Sequence, residues 1–76
     1  MSSDITNTGT KFYDIRQVDS HGVVVAEQSV EAASSEAAAK QLREVRDETD
    51  KIEVCLDGQA MSEMAVDYWA KRIRRR

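Results

Sequence analysis

Proline is absent from this sequence and glycine occurs only three times, which excludes an extended linker or a low-complexity stretch between the termini. A single cysteine, Cys55, excludes an internal disulfide. With His21 as the one histidine, the chain is also too poor in nitrogen and sulfur ligands for a structural zinc site. Gly9, Gly22 and Gly58 stand singly, with no phosphate-binding loop ahead of a helix, so no nucleotide or other cofactor is expected. No window approaches the roughly 18 to 20 apolar residues of a membrane span. The opening MSSDITNTGT has neither a basic start nor an apolar run of signal-peptide length. The default expectation is a cytoplasmic protein without membrane contact.

What is present fits one small soluble domain. At 76 residues a chain buries only about 60% of its unfolded surface and cannot divide that between two cores. Hydrophobic residues make up 41% and charged residues 33%, enough aliphatic character to offset part of the ordering entropy. Residues 1–10 are mostly small and polar and read as a loose tail; residues 11–76 read as a single domain.

KFYDIRQV, residues 11–18, is rich in aromatic and β-branched types and runs into the turn-like DSHG, which predicts a strand and a turn closed by Gly22. In the next segment Val24, Ala26, Val30 and Ala32 share one parity, and Glu27, Ser29 and Glu31 the other. That is the period of a strand with one wet face. Ser34 and Ser35 then offer an N-cap, Glu36 suits the positive end of a helix, and the helix is expected to continue to about residue 47 with Ala38, Leu42 and Val45 inward. KIEVCL, 51–56, alternates Ile52, Val54 and Leu56 against Lys51, Glu53 and Cys55 and ends at the turn signal Asp57-Gly58. Ser62 is placed to cap a last helix with Val66, Trp69, Ala70 and Ile73 on one stripe. A competing reading turns Asp57-Gly58 into a second hairpin with a very short strand Gln59 to Met61.

The order predicted is therefore ββαβα, an α+β fold. The third strand lies beside the first in a mainly antiparallel sheet of order 2-1-3, and both helices cover one face. The opposite face, with Glu27, Ser29, Glu31, Glu53 and Cys55 among its candidates, and the free edge of the second strand are left for a partner.

Charge is segregated along the chain. Residues 1–60 hold six basic and twelve acidic side chains, whereas 61–76 hold five basic and two acidic. Lys71, Arg72, Arg74, Arg75 and Arg76 suit the carbonyl end of a helix dipole, which gives them a purely structural purpose. Their functional alternative is contact, beside Tyr68, with an acidic protein surface or with RNA or DNA phosphates. Tyr68, Lys71, Arg72, Arg74, Arg75 and Arg76 are thus the candidate macromolecule-binding residues. Cys55 and His21 could in principle form a thiol and its base, but nothing in the sequence brings them together. Glu44, Asp47, Glu48, Asp50 and Glu53 alternate with Arg43, Arg46 and Lys51 like a solvated helix end rather than a metal or glycosidase set. Met61 and Met64 serve either as core gap-fillers or as an adaptable binding patch.

The layout of VVVAEQSVEAASSEAAAK, a hairpin strand followed by an alanine helix, resembles that of several short phage or mobile-element proteins, including some anti-CRISPR inhibitors. The likeness is one of pattern over roughly half the chain and assigns no family. What it implies, together with the lack of a catalytic set, is a non-enzymatic protein-binding module of regulatory or inhibitory type, monomeric or a weak homodimer. The alternative is a nucleic-acid-binding accessory protein using the basic ending.

Overall fold

A computed structural model describes residues 9–73. The element order is β1 (Lys11–Asp19), β2 (Val24–Ala32), α1 (Ser35–Lys40), β3 (Thr49–Leu56) and β4 (Gln59–Ala65). A last helical segment follows, made of α2 (Val66–Tyr68) and a π-helical turn (Trp69–Ile73). The strands form one antiparallel sheet of order β2-β1-β3-β4. The α+β class is as expected, and so is the placing of β3 against β1. The sheet has four strands rather than three, and the helices are short.

The fourth strand arises at Asp57-Gly58. Both residues have positive φ, 55° and 82°, the backbone of a type I′ turn whose twist matches that of the strands it joins. Leu56 therefore faces Gln59, and β4 runs back along β3 to Ala65, well beyond the short strand considered as the alternative. Ser62 thus lies in a strand and caps no helix; α2 begins after Ala65 without a side-chain cap. The first hairpin closes through Asp19, whose Oδ1 accepts from the backbone N–H of His21 (2.8 Å) and of Val23 (2.9 Å) while Gly22 takes a φ of 83°.

Ser34 caps α1 as expected, its Oγ accepting from Ala37 N at 3.1 Å. The helix nevertheless stops at Lys40, not near residue 47. The reason is tertiary. Gln17, on the inner face of β1, donates from Nε2 to the Glu44 carbonyl (3.0 Å) and accepts at Oε1 from Arg46 N (2.8 Å) and Thr49 Oγ1 (2.8 Å). Backbone groups that a longer helix would have paired internally are held by this side chain instead, and the segment from 41 to 48 crosses to β3 as an irregular connection.

One face of the sheet is covered. Tyr13, Ile15, Ala32, Ile52 and Val54 from the strands meet Ala38, Ala39, Leu42, Trp69 and Ile73 in a single core. Alanine in α1 permits close approach, and the indole Nε1 of Trp69 donates to the Ala39 carbonyl at 2.8 Å, tying the two helical segments to each other. The π-helical turn sets Trp69 and Ile73 inward together and leaves Ala70 exposed, so Ala70 does not join the inner stripe. No helix among the described residues is long and apolar enough to cross a membrane.

Candidate binding face

Among the described residues, no helix covers the other face of the sheet. Alternation along the strands places Phe12, Asp14 and Arg16 of β1, Glu27, Ser29 and Glu31 of β2, Lys51, Glu53 and Cys55 of β3, and Glu63 of β4 on it. Register aligns Glu27, Arg16, Glu53 and Glu63 in one row across all four strands. The adjacent row is Ser29, Asp14, Cys55 and Ala60. The five strand-borne surface residues expected on an open face, Glu27, Ser29, Glu31, Glu53 and Cys55, therefore lie there together.

Hydrogen bonds on this face join neighbouring strands and, from Thr10 just ahead of β1, reach β2. Ser29 Oγ donates to Asp14 Oδ1 at 2.6 Å, Arg16 Nε to Glu27 Oε2 at 3.2 Å, and Thr10 Oγ1 to Glu31 Oε2 at 2.8 Å. Lys51 Nζ is bonded to Glu63 and lies 3.7 Å from Glu53. These contacts keep the charges on. The hydrogen bond from Lys51 holds the Glu63 carboxyl below its ordinary range, and the same contact raises the lysine. Glu27 likewise raises Arg16. Glu53 and Glu63, directly opposed, are a like-charge pair of the kind that destabilises a sheet, offset here by Lys51 between them.

The charge balance of the face is unusual for the chain. Five carboxylates, those of Asp14, Glu27, Glu31, Glu53 and Glu63, stand against Arg16 and Lys51, a balance of −3. The remaining nine acidic and nine basic side chains cancel, so the whole net charge of −3 belongs to this face. Phe12, 69% exposed, adds an apolar contact beside Glu31.

Cys55 lies on this face yet is only 1% exposed. Burial pushes its thiol up, away from the reactive thiolate. It faces Asp14 and Ala60, while His21 sits in the first hairpin turn, so the two are not assembled as nucleophile and base. No metal-binding cluster of carboxylates, histidine or cysteine occurs among the described residues. Met64 packs against the core as a gap-filler, and Met61, exposed, occupies a bulge where pairing passes from Ser62 to Ala60.

Of the residues of the predicted basic site, Tyr68, Lys71 and Arg72 are described. Tyr68 is 53% exposed, and Lys71 and Arg72 are exposed on the outer side of the last turn, opposite to Trp69 and Ile73. Arg74, Arg75 and Arg76 lie outside the described residues. Tyr68 also borders a cleft of about 300 Å³ with Ser35, Glu36, Ser62, Met64 and Ile73. A second, more open groove of about 420 Å³ is lined by Asp50, Lys51, Glu63, Met64 and Ala65. Phe12, Asp14, Arg16 and Glu63 are the participants that sequence reasoning did not single out. Glu63 falls on the sheet only because β4 exists, whereas the even parity of Asp14 and Arg16 opposite Tyr13 and Ile15 was available as a signal.

Comparison with protein-family models, with curated proteins and with solved structures yields no match.

Proposed function

We propose that the protein is a non-enzymatic binding module that recognises another protein through the open face of its sheet, with a regulatory or inhibitory role. One observation carries this reading: a four-stranded face that no helix covers among the described residues, bearing the entire net charge of the chain and an exposed phenylalanine. Such a surface favours a cationic partner, because complementary charge steers encounter and an aromatic supplies the apolar anchor of an interface.

The test is affinity capture from the native host with three proteins: the full chain, a chain truncated after Ile73 so that this core residue is kept, and Glu27→Gln/Glu53→Gln/Glu63→Gln. Retention of one partner by the first two and its loss by the third supports the reading. A partner retained by the triple variant and lost on truncation overturns it and moves recognition to the basic ending.

A nucleic-acid contact is the second reading, favoured by the exposure of Tyr68, Lys71 and Arg72 on one side of the last turn. Binding to bulk RNA or DNA at low salt, abolished when Arg72, Arg74, Arg75 and Arg76 are neutralised, supports it; no binding by the wild-type chain removes it.

A further inference from the structure

The outer edge of β2 carries a row of backbone groups aimed away from the sheet, and the strand register identifies them. In an antiparallel pair, facing residues alternately exchange backbone hydrogen bonds and turn those groups outward. The Glu31 carbonyl accepts from Gln41 Nε2 at 2.7 Å, so it points away from β1. Glu27 and Ser29 share its parity in an unbroken register from Glu27 to Ala32, and point the same way. The hairpin end agrees: Asp19 N donates to the Val23 carbonyl at 2.9 Å, and counting from that exchanging pair through the bulge at Gln17/Val18 gives the same assignment. The outward groups left unbonded among the described residues are the N–H and C=O of Glu27 and Ser29 and the N–H of Glu31. Glu27, Ser29 and Glu31 are all exposed.

We infer that this edge takes up, as a fifth strand, an extended basic segment of another protein. The inference rests on the reading that the chain recognises a protein, and names the segment it takes. The backbone row selects an extended chain, because a strand matches donors and acceptors that recur at every second residue. The side chains select its charge. Glu27 and Glu31 stand on the open face, and residues directly opposite them on an added strand lie on that same face within reach. Glu27 is bonded to Arg16 and Glu31 to Thr10, and each carboxylate keeps acceptor sites for a second donor. On the inner side Val30 packs at the margin of the core and is only half-buried. An antiparallel segment with Lys or Arg opposite Glu27 and Glu31 and an apolar residue opposite Val30 meets all three demands.

A second copy of the chain does not suit this edge. Antiparallel pairing of β2 with itself across Ser29 sets Glu27 against Glu31 twice, and like charges directly opposed destabilise a sheet. The glutamates that repel a copy are the ones that attract a cation. β2 also has none of the lysine or proline that commonly blunts a free edge. The edge of β4 is less suited. Pairing there passes from Ser62 to Ala60 with Met61 bulged out, which breaks the alternation of outward groups, and its Glu63 is already bonded to Lys51.

The test titrates the full chain with a short peptide, acetylated and amidated to remove its terminal charges. It has lysine at its second and sixth positions, valine at its third and threonine elsewhere, and is added up to about 1 mM at low salt. In the inferred pairing the backbone of its second, fourth and sixth positions faces β2. Methylating the fourth backbone nitrogen should weaken binding at least about tenfold, and methylating the fifth, which points away, should change it less than about twofold. Glutamate in place of both lysines should abolish binding. Glu27→Gln/Glu31→Gln should weaken it about fivefold, whereas Glu53→Gln/Glu63→Gln, on strands away from the edge, should not. Amide exchange at Glu27, Ser29 and Glu31 should slow in the complex, because those N–H groups gain acceptors. Ser29→Pro removes one of them at a place an edge strand tolerates and should block the peptide, with Ser29→Ala controlling for the lost hydroxyl bond to Asp14; if the proline variant does not fold, the methylated peptides decide. A peptide that does not bind, binds equally well with its fourth nitrogen methylated, or leaves the edge amides unprotected overturns the inference. The proposed function is judged apart from it. A native partner lost with Glu53→Gln/Glu63→Gln and retained by Ser29→Pro sits on the face, which overturns the edge inference and leaves that function standing; a peptide bound as described while native capture yields no protein overturns the function alone.

Discussion

Replacing Gln17 should expose how the connection between α1 and β3 is held. Its side chain, 5% exposed, makes three hydrogen bonds: to the Glu44 carbonyl, from Arg46 N and from Thr49 Oγ1. The amide orientation is fixed by its partners, since the reverse would set an NH₂ against the Arg46 N–H. In Gln17→Leu the volume is kept, but one carbonyl, one N–H and one hydroxyl lose their partner. A buried polar group left unsatisfied costs about 1–3 kcal/mol. The connection can open partly to water, so the expected loss is roughly 2–4 kcal/mol in total. Against the roughly 4–11 kcal/mol available to a domain of this size, that is a large fraction. Gln17→Glu sharpens the test. Ionised, it still accepts from Arg46 and Thr49 but faces the Glu44 carbonyl with no donor; protonated, it restores the donor. Its carboxyl is therefore raised in the folded state above the unfolded value of about 4.3. Stability of this variant should be greatest below that value and decline as pH rises through the folded value, opposite in sign to a salt-bridged carboxylate. Urea unfolding followed by Trp69 fluorescence between pH 4 and 8 measures both effects, chosen to bracket that range. A leucine variant as stable as wild type, or a glutamate variant with no pH dependence of its own, would refute the reasoning.

Three further outcomes follow from particular contacts. Trp69→Phe keeps most of the packing but leaves the Ala39 carbonyl without its indole donor, which should cost about 1–2 kcal/mol in urea unfolding; Trp69→Ala should cost about 3–5 kcal/mol and detach the last helical segment, seen as faster amide exchange over 66–73. Gly58→Ala places a Cβ on a residue with φ of 82° and should destabilise by about 1–2 kcal/mol, although nothing crowds that position in space; a neutral result would show that the turn relaxes. Asp19 is held below the ordinary carboxylate value of 3.8 chiefly by the Val23 N–H. Its contribution is therefore present above that value and lost as pH falls through the lower folded one. Asp19→Ala should be less stable than wild type at pH 7, with the difference shrinking in acid.

Much of the fold could be read from alternation. The parity of Val24, Ala26, Val30 and Ala32 against Glu27, Ser29 and Glu31 placed β2 with its wet face outward, and Ile52 and Val54 placed β3. The inward direction of Trp69 followed from its spacing to Val66 and Ile73. Two features were not legible from local pattern. The extent of α1 was overestimated because Leu42 and Val45 continue its stripe, yet Gln17, distant in sequence, claims the backbone at Glu44 and Arg46. Its odd parity with Tyr13 and Ile15 marked Gln17 as an inward polar residue in need of partners, but not which ones. The strand β4 was hidden because QAMSEMA carries few β-branched or aromatic residues, so local propensity favoured a helix capped by Ser62. The turn geometry of Asp57-Gly58 and pairing with the buried β3 outweighed that preference.

The missing strand also explains why the candidate site moved. With three strands, attention falls on the five cations of the ending, because the acidic residues look dispersed along the sequence. The fourth strand brings Glu63 beside Glu53 and completes a row with Arg16 and Glu27. Dispersed carboxylates then become one surface, while Lys71 and Arg72, the described cations of the ending, lie beside Trp69 and Ile73, which pack on the other side of the sheet. A small net charge of −3 thus conceals one acidic face, since the remaining charges of the chain cancel. Neutralising Glu27, Glu53 and Glu63 should therefore change association with a cationic partner far more than it changes unfolding, because exposed ion pairs stabilise a fold only weakly whereas complementary charges act together across an interface. Face variants that unfold at the wild-type urea midpoint but lose association would bear this out; variants whose loss of association tracks a lowered midpoint would show that the carboxylates act on the fold itself.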